Sequence, residues 1–423
     1  MKITKSKISN LKITKNQQKI YKIFSTLSLA FLALISSSCA KNKIVSTLEK
    51  EQLFELNYGN FEDELNIFDL KNVSFINTSL AMKDGFFYIA NGESKKIMEM
   101  NSYGDLLTLF YNEETNPPPS FVNALETSSA TRKAVSYPFN EISKICIDSQ
   151  KKLYVVEKLP SERQEFDENK KILLSNVVLR FDENSNFVDY LGQEGSSGTP
   201  FPYIKNIYAN NKGELIVVCL VGTGYEVFIF SEEGYLKYKI PIEKNNVPNP
   251  IQDSLQESFY SVDAIIPDNN LHFLYLKVDY FTNYVDESSR VQSGIDYIAS
   301  YIYPLDAETG VYSDPLLIPP YQEELAEGLS KTEYNIPYDF IGCTDNNWFF
   351  FMVSSEDGLN IQMVQGDGSR ILNRKLELNH SESLFYTFNL DNSGIISVLT
   401  VKKDKADVSW WRTDSLIQAV IKN

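Results

Sequence analysis

Two histidines, His272 and His380, are the only imidazoles in a chain of 423 residues. Proton transfer near neutral pH therefore has few candidates. His272 lies in the apolar run Leu271–Leu276 and His380 in an Asn-His-Ser-Glu-Ser segment. Sequence spacing supplies neither with a partner. There is no G-x-S-x-G elbow, and Gly222-Thr223-Gly224 reads as a turn between strands rather than a phosphate loop. Acidic clusters occur at Glu62-Asp63-Glu64, from Glu162 to Glu168 and at Asp182-Glu183-Asn184-Ser185-Asn186. The last lacks the ligand spacing and distal glutamate of a calcium loop, so all three read as solvated loops. Cys146, Cys219 and Cys343 are far apart, each inside an apolar run, and read as buried free thiols, with one disulfide and a leftover thiol as the alternative. The expectation is no catalytic residue, no metal ligand set, no cofactor and no enzymatic activity.

Cys39 is a different case. Seven lysines (Lys2, Lys5, Lys7, Lys12, Lys15, Lys19 and Lys22) precede an uncharged stretch, Ile23 to Ser38, and no acidic residue comes before Cys39. This is the layout of an export signal spanning residues 1–38. Its apolar part, Ile23 to Ile35, has 13 residues, whereas a helix crossing a bilayer needs about 20. Ser36, Ser37 and Ser38 lead directly into Cys39, and this run resembles a relaxed lipoprotein lipobox, with Ser36 where leucine is usual. The resemblance implies lipidation of Cys39, which becomes the new N-terminus. Ala40 stands where an aspartate would, in such lipoproteins, signal inner-membrane retention, so the implied address is the outer membrane. Two acyl chains suffice for stable attachment.

Without the leader, 33 basic residues face 56 acidic ones, a net charge of −23. Nucleic acid and anionic lipid surfaces reward basic patches and are not the expected partners. Residues 39–52 read as a tether and 53–423 as a single domain.

The elements of that domain are short β-branched and aromatic runs separated by Asp, Asn and Gly, with almost no amphipathic helix. A hairpin of one pattern recurs six times, at Ser79–Ala90, Ile142–Val156, Ile204–Leu220, Ser261–Leu276, Phe340–Val353 and Phe385–Leu399. A second hairpin follows most copies, at Ile97–Phe110, Val178–Gly192, Val227–Ile240, Ile302–Ile318 and Ile361–Leu376. Two hairpins make a four-stranded sheet with two apolar faces, which only stacked neighbours can cover. The prediction is an all-β fold, a β-propeller of six four-stranded blades. Its turn residues Asp84, Asp148, Asn211, Asp268, Asp345 and Asp391 are spaced 64, 63, 57, 77 and 46 apart. Such unequal spacing requires insertions, visible at Asn112–Asn140, Pro160–Leu174, Glu243–Glu257, Asp279–Gly294 and Pro319–Pro337. Within the last, YQEELAEGL reads as a short helix. The sixth blade takes its third strand from Asp407–Thr413 and its fourth from either Ile417–Ile421 or, closing the ring, Leu53–Tyr58.

The blades resemble those of NHL-type propellers, without the histidine and Trp-Asp signatures of the WD40 class. Together with a lipidated N-terminus, the architecture is similar to the propeller lipoprotein of the outer-membrane β-barrel assembly machinery, BAM. That resemblance implies a periplasm-facing, protein-binding scaffold. Tyr260, Tyr280, Phe281, Tyr284 and Tyr321, all in insertions, are candidate anchors for a protein partner. The other open readings are a surface-exposed ligand-binding or adhesin propeller and a propeller hydrolase or lyase.

Overall fold

Alternating apolar runs broken at Asp, Asn and Gly become, in a computed structural model, six small antiparallel sheets arranged as a six-blade β-propeller. The structure describes residues 45–67, 76–122, 132–251, 258–285, 292–327, 330–355, 358–379 and 381–421. Cys39, the leader and His380 lie outside the described residues. From Thr47 onward the chain forms one unit.

Blade 1 contains Thr78–Lys83, Phe86–Asn91, Lys96–Met100 and Leu106–Tyr111, with Lys133–Ser136 added in parallel. Blade 2 contains Glu141–Ile147, Leu153–Lys158, Asn176–Phe181 and Phe187–Gly192, and blade 3 Tyr203–Ala209, Leu215–Val221, Gly224–Phe230 and Leu236–Glu243. Blade 4 is the longest, with Ser258–Pro267, Phe273–Val285, Gln292–Asp306 and Leu316–Ile318. Blade 5 contains Asp339–Cys343, Trp348–Ser355, Gly358–Gln365 and Ile371–Leu376. In blade 6, Phe385–Leu390, Ile396–Val401 and Ala406–Trp411 are completed by Glu51–Leu56, which pairs antiparallel with Ala406–Trp411. Of the two closures the sequence left open, the ring uses the N-terminal strand. Ile417 and Ile421 belong instead to the helix Thr413–Ile421, which packs Ile417 onto the seam between blades 5 and 6.

Each seam between neighbouring blades holds its own apolar cluster. Phe54, Leu56, Leu80, Phe87, Ile89, Leu399 and Val408 fill the seam of blades 6 and 1. Corresponding clusters fill the other five seams. A fully buried Leu, Ile or Phe in such a seam contributes about 1.5–3 kcal/mol. This is why a blade with two apolar faces holds only within a ring.

Antiparallel order also sorts the connections. Turns joining first to second strands surround one end of the ring. Links from second to third strands, and from blade to blade, emerge at the other. All five insertions belong to the second group. Two of them fold into added hairpins, Glu165–Asp167 with Ile172–Leu174 and Tyr321–Glu327 with Ser330–Ile336. The second corrects the expected helix in YQEELAEGL. Although Tyr321 and Leu325 stand at helical spacing, pairing along the whole segment from Tyr321↔Ile336 to Glu327↔Ser330 overrides local helix propensity. The insertion 279–294 extends the two middle strands of blade 4 past the body of the sheet.

Candidate functional site

The innermost strands of all six blades converge on a central channel with a cavity of about 380 Å³, within the 300–1,000 Å³ typical of small-molecule sites. Its lining includes Ser79 and Lys83, Lys144 and Cys146, Asn206 and Tyr208, Ile266, Phe340, Thr387 and Asn389. Cross-blade bonds hold these strands in place: Met82 N–H donates to Asn389 Oδ1 at 3.0 Å and Ser79 Oγ to the Ser143 carbonyl at 2.6 Å. Cys343 Sγ donates to the Pro267 carbonyl at 3.3 Å.

At the tight-turn end the channel is bridged. Asn392 Nδ2 donates to Asn211 Oδ1 at 3.0 Å, and Asn211 Nδ2 donates to Asp345 Oδ1 at 2.9 Å and Asn270 Oδ1 at 3.0 Å. Blades 3 and 6 stand opposite one another in a six-membered ring, so the Asn211–Asn392 bond crosses the axis. The backbone joins in, with Asp345 N–H donating to the Asn392 carbonyl at 2.9 Å. Turn residues that the sequence marks only as turn formers therefore also cap one mouth.

Four of the six innermost strands carry a β-bulge, at 143–144, Lys205, Asp263 and Ile341. A bulge adds a residue outside the ladder and re-aims its side chain. Lys205 Nζ donates to the Asp263 carbonyl at 2.5 Å and lies 5.2 Å from the Tyr225 ring centroid. Asp263 Oδ2 accepts the Phe340 N–H at 2.9 Å and faces Lys277 Nζ at 3.3 Å. Lys277 is fully buried and binds Asp279 Oδ2 at 2.7 Å, while Ser300 Oγ donates to the other Asp279 oxygen. Burial pushes the Asp279 carboxyl above the usual range despite Lys277. Burial, then the Asp263 charge, pushes Asp339 the same way. The seam of blades 4 and 5 thus holds three carboxylates around one ammonium.

A second polar constellation lies between blades 3 and 4. His272 Nδ1 is 2.6 Å from Glu308 Oε1 and its Nε2 is 3.4 Å from Glu214 Oε1. Glu214 also pairs with Lys237 and accepts Asn210 Nδ2 at 2.7 Å. Burial would raise the Glu214 carboxyl, but Lys237 and Asn210 outweigh it and hold it low. His272 therefore has acidic partners, 58 and 36 residues away, that spacing along one element could not show.

Of the five aromatic anchors proposed from sequence, Tyr280 is buried against Tyr303, and Tyr321 packs on Tyr338 at 5.9 Å. Tyr260 and Phe281 are half-buried and Tyr284 is exposed. Phe259, Phe281 and Tyr297 stand in register across the extended part of blade 4, with centroids 5.7 and 6.1 Å apart. Ile295, 61% exposed, continues the stripe on the same strand face. Cys146, Cys219 and Cys343 are free thiols, and burial pushes all three above the usual range. Asp182, the first residue of the calcium-like segment, caps its own turn by accepting the N–H groups of Asn184 and Asn186.

No protein-family model matches the chain, and no curated protein matches it. Among solved structures it is similar to the polysaccharide lyase Uly1, at 6% identity and a TM-score of 0.41, over 86% of this chain and 99% of that one. It is also similar to PorZ of Porphyromonas gingivalis, described as an essential bacterial surface component of the type-IX secretion system. There the identity is 12% and the TM-score 0.34, over 79% of this chain and 38% of that one. The expectation that the chain is not an enzyme is corrected here: a polysaccharide lyase is among the structures similar to it, and a propeller fold is no ground for excluding catalysis. The physical reason the expectation failed is that it rested on spacing. The Glu214–His272–Glu308 group draws together residues that spacing does not associate, as does Asp263 with the Lys277–Asp279 pair.

Proposed function

We propose that the chain is a binding scaffold of the cell envelope, held by lipid on Cys39 at the periplasmic side of the outer membrane, that docks a protein partner on the insertion end of its propeller. The observation that carries this reading is the gathering of all five insertions at one end of the ring, with exposed Phe259 and Ile295 flanking half-buried Phe281 and Tyr297 on the extended blade 4. Aromatic side chains held in register on three paired strands bring large apolar area at low entropic cost. Assembly of outer-membrane proteins is the process this scaffold would serve.

Cross-linking in intact cells, followed by purification from membranes, tests the proposal. An envelope protein that co-purifies with the wild type and is lost with the Phe259→Ser/Ile295→Ser double variant is the expected result. Recovery of the same proteins with both forms would remove the docking surface. Absence of any assembly component or barrel protein would remove the assembly role. Mass analysis of membrane-extracted protein checks the anchor, and an unacylated Cys39 would end that part of the reading.

A further inference from the structure

The charge of the channel runs against the charge of the chain. Acidic residues outnumber basic ones by 56 to 40 overall, yet the charged side chains lining the channel are Lys83, Lys144 and Asp391. Asp391 is committed to its own turn, its Oδ1 accepting the N–H groups of Ser393, Gly394 and Ile395 at 2.9–3.0 Å. It keeps its charge, so the lining carries two positive charges against one negative.

Lys144 is the informative residue. It belongs to the bulge of blade 2, and the bulged charged residues of the next two blades, Lys205 and Asp263, are both engaged by neighbouring groups. Among the described residues Lys144 has no ion pair and no side-chain hydrogen bond, in a protein with carboxylates to spare. Its side chain is exposed to the channel, and the surrounding inner strands desolvate its ammonium enough to pull it below the usual lysine range. No neighbouring carboxylate opposes that shift. An ammonium that faces a confined cavity without an internal counterion is available to an anionic ligand there. A lining of net positive charge in a confined cavity also focuses the field on a small anionic ligand.

We propose that the central channel is a binding site for a small ligand bearing an oxyanion, a carboxylate or a sulfate, held by Lys144 with Lys83 as the second cation. The Asn211–Asn392 bond spans the tight-turn mouth beside the cavity. Cross-blade bonds already occupy the Asn389 oxygen and the Ser79 hydroxyl proton, which leaves Lys144 as the main determinant of recognition. The site is separate from the blade 4 stripe, and partner docking and ligand binding can fail independently.

Isothermal titration of the purified protein with succinate, D-glucuronate and inorganic sulfate, with D-glucose as the uncharged control, tests the site. At least one anion binds with one-to-one stoichiometry, glucose does not, and Lys144→Gln weakens binding by about tenfold or more while Lys144→Arg retains it. A response to the two carboxylates alone, or to sulfate alone, identifies the oxyanion. Should Lys144→Gln fail to fold, acetylation of the wild type read by peptide mass spectrometry replaces it, with the bound anion slowing modification at Lys144. No binding by any of the three anions overturns the proposal, as does equal binding by Lys144→Gln or an unprotected Lys144 in the wild type.

Discussion

Closure of the ring concentrates on one carboxylate, and Asp407→Asn is the change that tests it. Asp407 is 1% exposed on the strand that receives Glu51–Leu56. Its oxygens lie 2.6 Å from Lys402 Nζ and 3.2 Å from Lys50 Nζ, and Ser409 Oγ donates at 2.9 Å. Removing one partner of a fully buried pair costs about 3–5 kcal/mol, whereas a surface pair contributes about 0–1 kcal/mol. The two lysine side chains are 33% and 19% exposed, so they regain part of their hydration, and the loss should be about 2 kcal/mol. Lys50 immediately precedes the closing strand, so that loss falls on closure.

Two of the three tryptophans, Trp410 and Trp411, sit on the receiving strand and report on its environment. In urea unfolding followed by their fluorescence, Asp407→Asn lowers the midpoint without changing the slope. Lys50→Met costs stability in the wild type and almost nothing in the Asp407→Asn background, because the pair is already broken. Burial would raise the Asp407 carboxyl, but Lys402 and Lys50 outweigh it and hold it below 3.8. A depressed folded value means the contribution is complete above pH 3.8 and is lost as pH falls through the folded value. The variant therefore shows less loss in acid than the wild type. Equal midpoints at pH 7, or simple addition of the Lys50 and Asp407 losses, would refute closure through this carboxylate.

Three further outcomes follow from single residues. Lys96 is 1% exposed, donates to the Phe61 carbonyl at 2.6 Å, and is drawn by burial from 10.5 to about 8 against the pull of Glu64, Asp63 and Glu62. The unfolded chain then binds more protons between pH 8 and 10.5, so stability rises across that window by up to about 3 kcal/mol. A wild-type minus Lys96→Met difference that stays level from pH 8 to 10 would contradict it. Gly92→Ala should destabilise by roughly 1–3 kcal/mol, because a Cβ there meets the Asn77 carbonyl oxygen at 2.4 Å and the Ile142 carbonyl oxygen at 2.8 Å. Thermal melting that matches the wild type would show that the two backbones give way. In Ellman titration of the folded protein, Cys219 and Cys343 react only after denaturant is added, since burial holds both thiols protonated.

How much of this was legible in the sequence depended on how local each signal was. The blades were readable because a turn writes itself in a few residues: Asp391 followed by Asn392, Ser393 and Gly394 is a tight turn wherever it occurs, and Gly394 takes φ +98° as such turns require. Closure was undecided because Leu53–Tyr58 and Ile417–Ile421 are both short apolar runs. Their difference, pairing with Ala406–Trp411 against packing on Trp411 and Val398, is tertiary. The sites were the least legible part. A bulge is one extra residue in a strand, and nothing in Ile-Ser-Lys-Ile announces that Lys144 leaves the ladder while Ile142 and Ile145 stay in it. His272 has no carboxylate at a short offset: Glu308 reaches it from a later turn of its own blade and Glu214 from the adjacent one. In a propeller each turn can be read alone, whereas the polar groups here meet across strands and across blades. Absence of a motif along such a chain therefore says little about what its seams and channel can do.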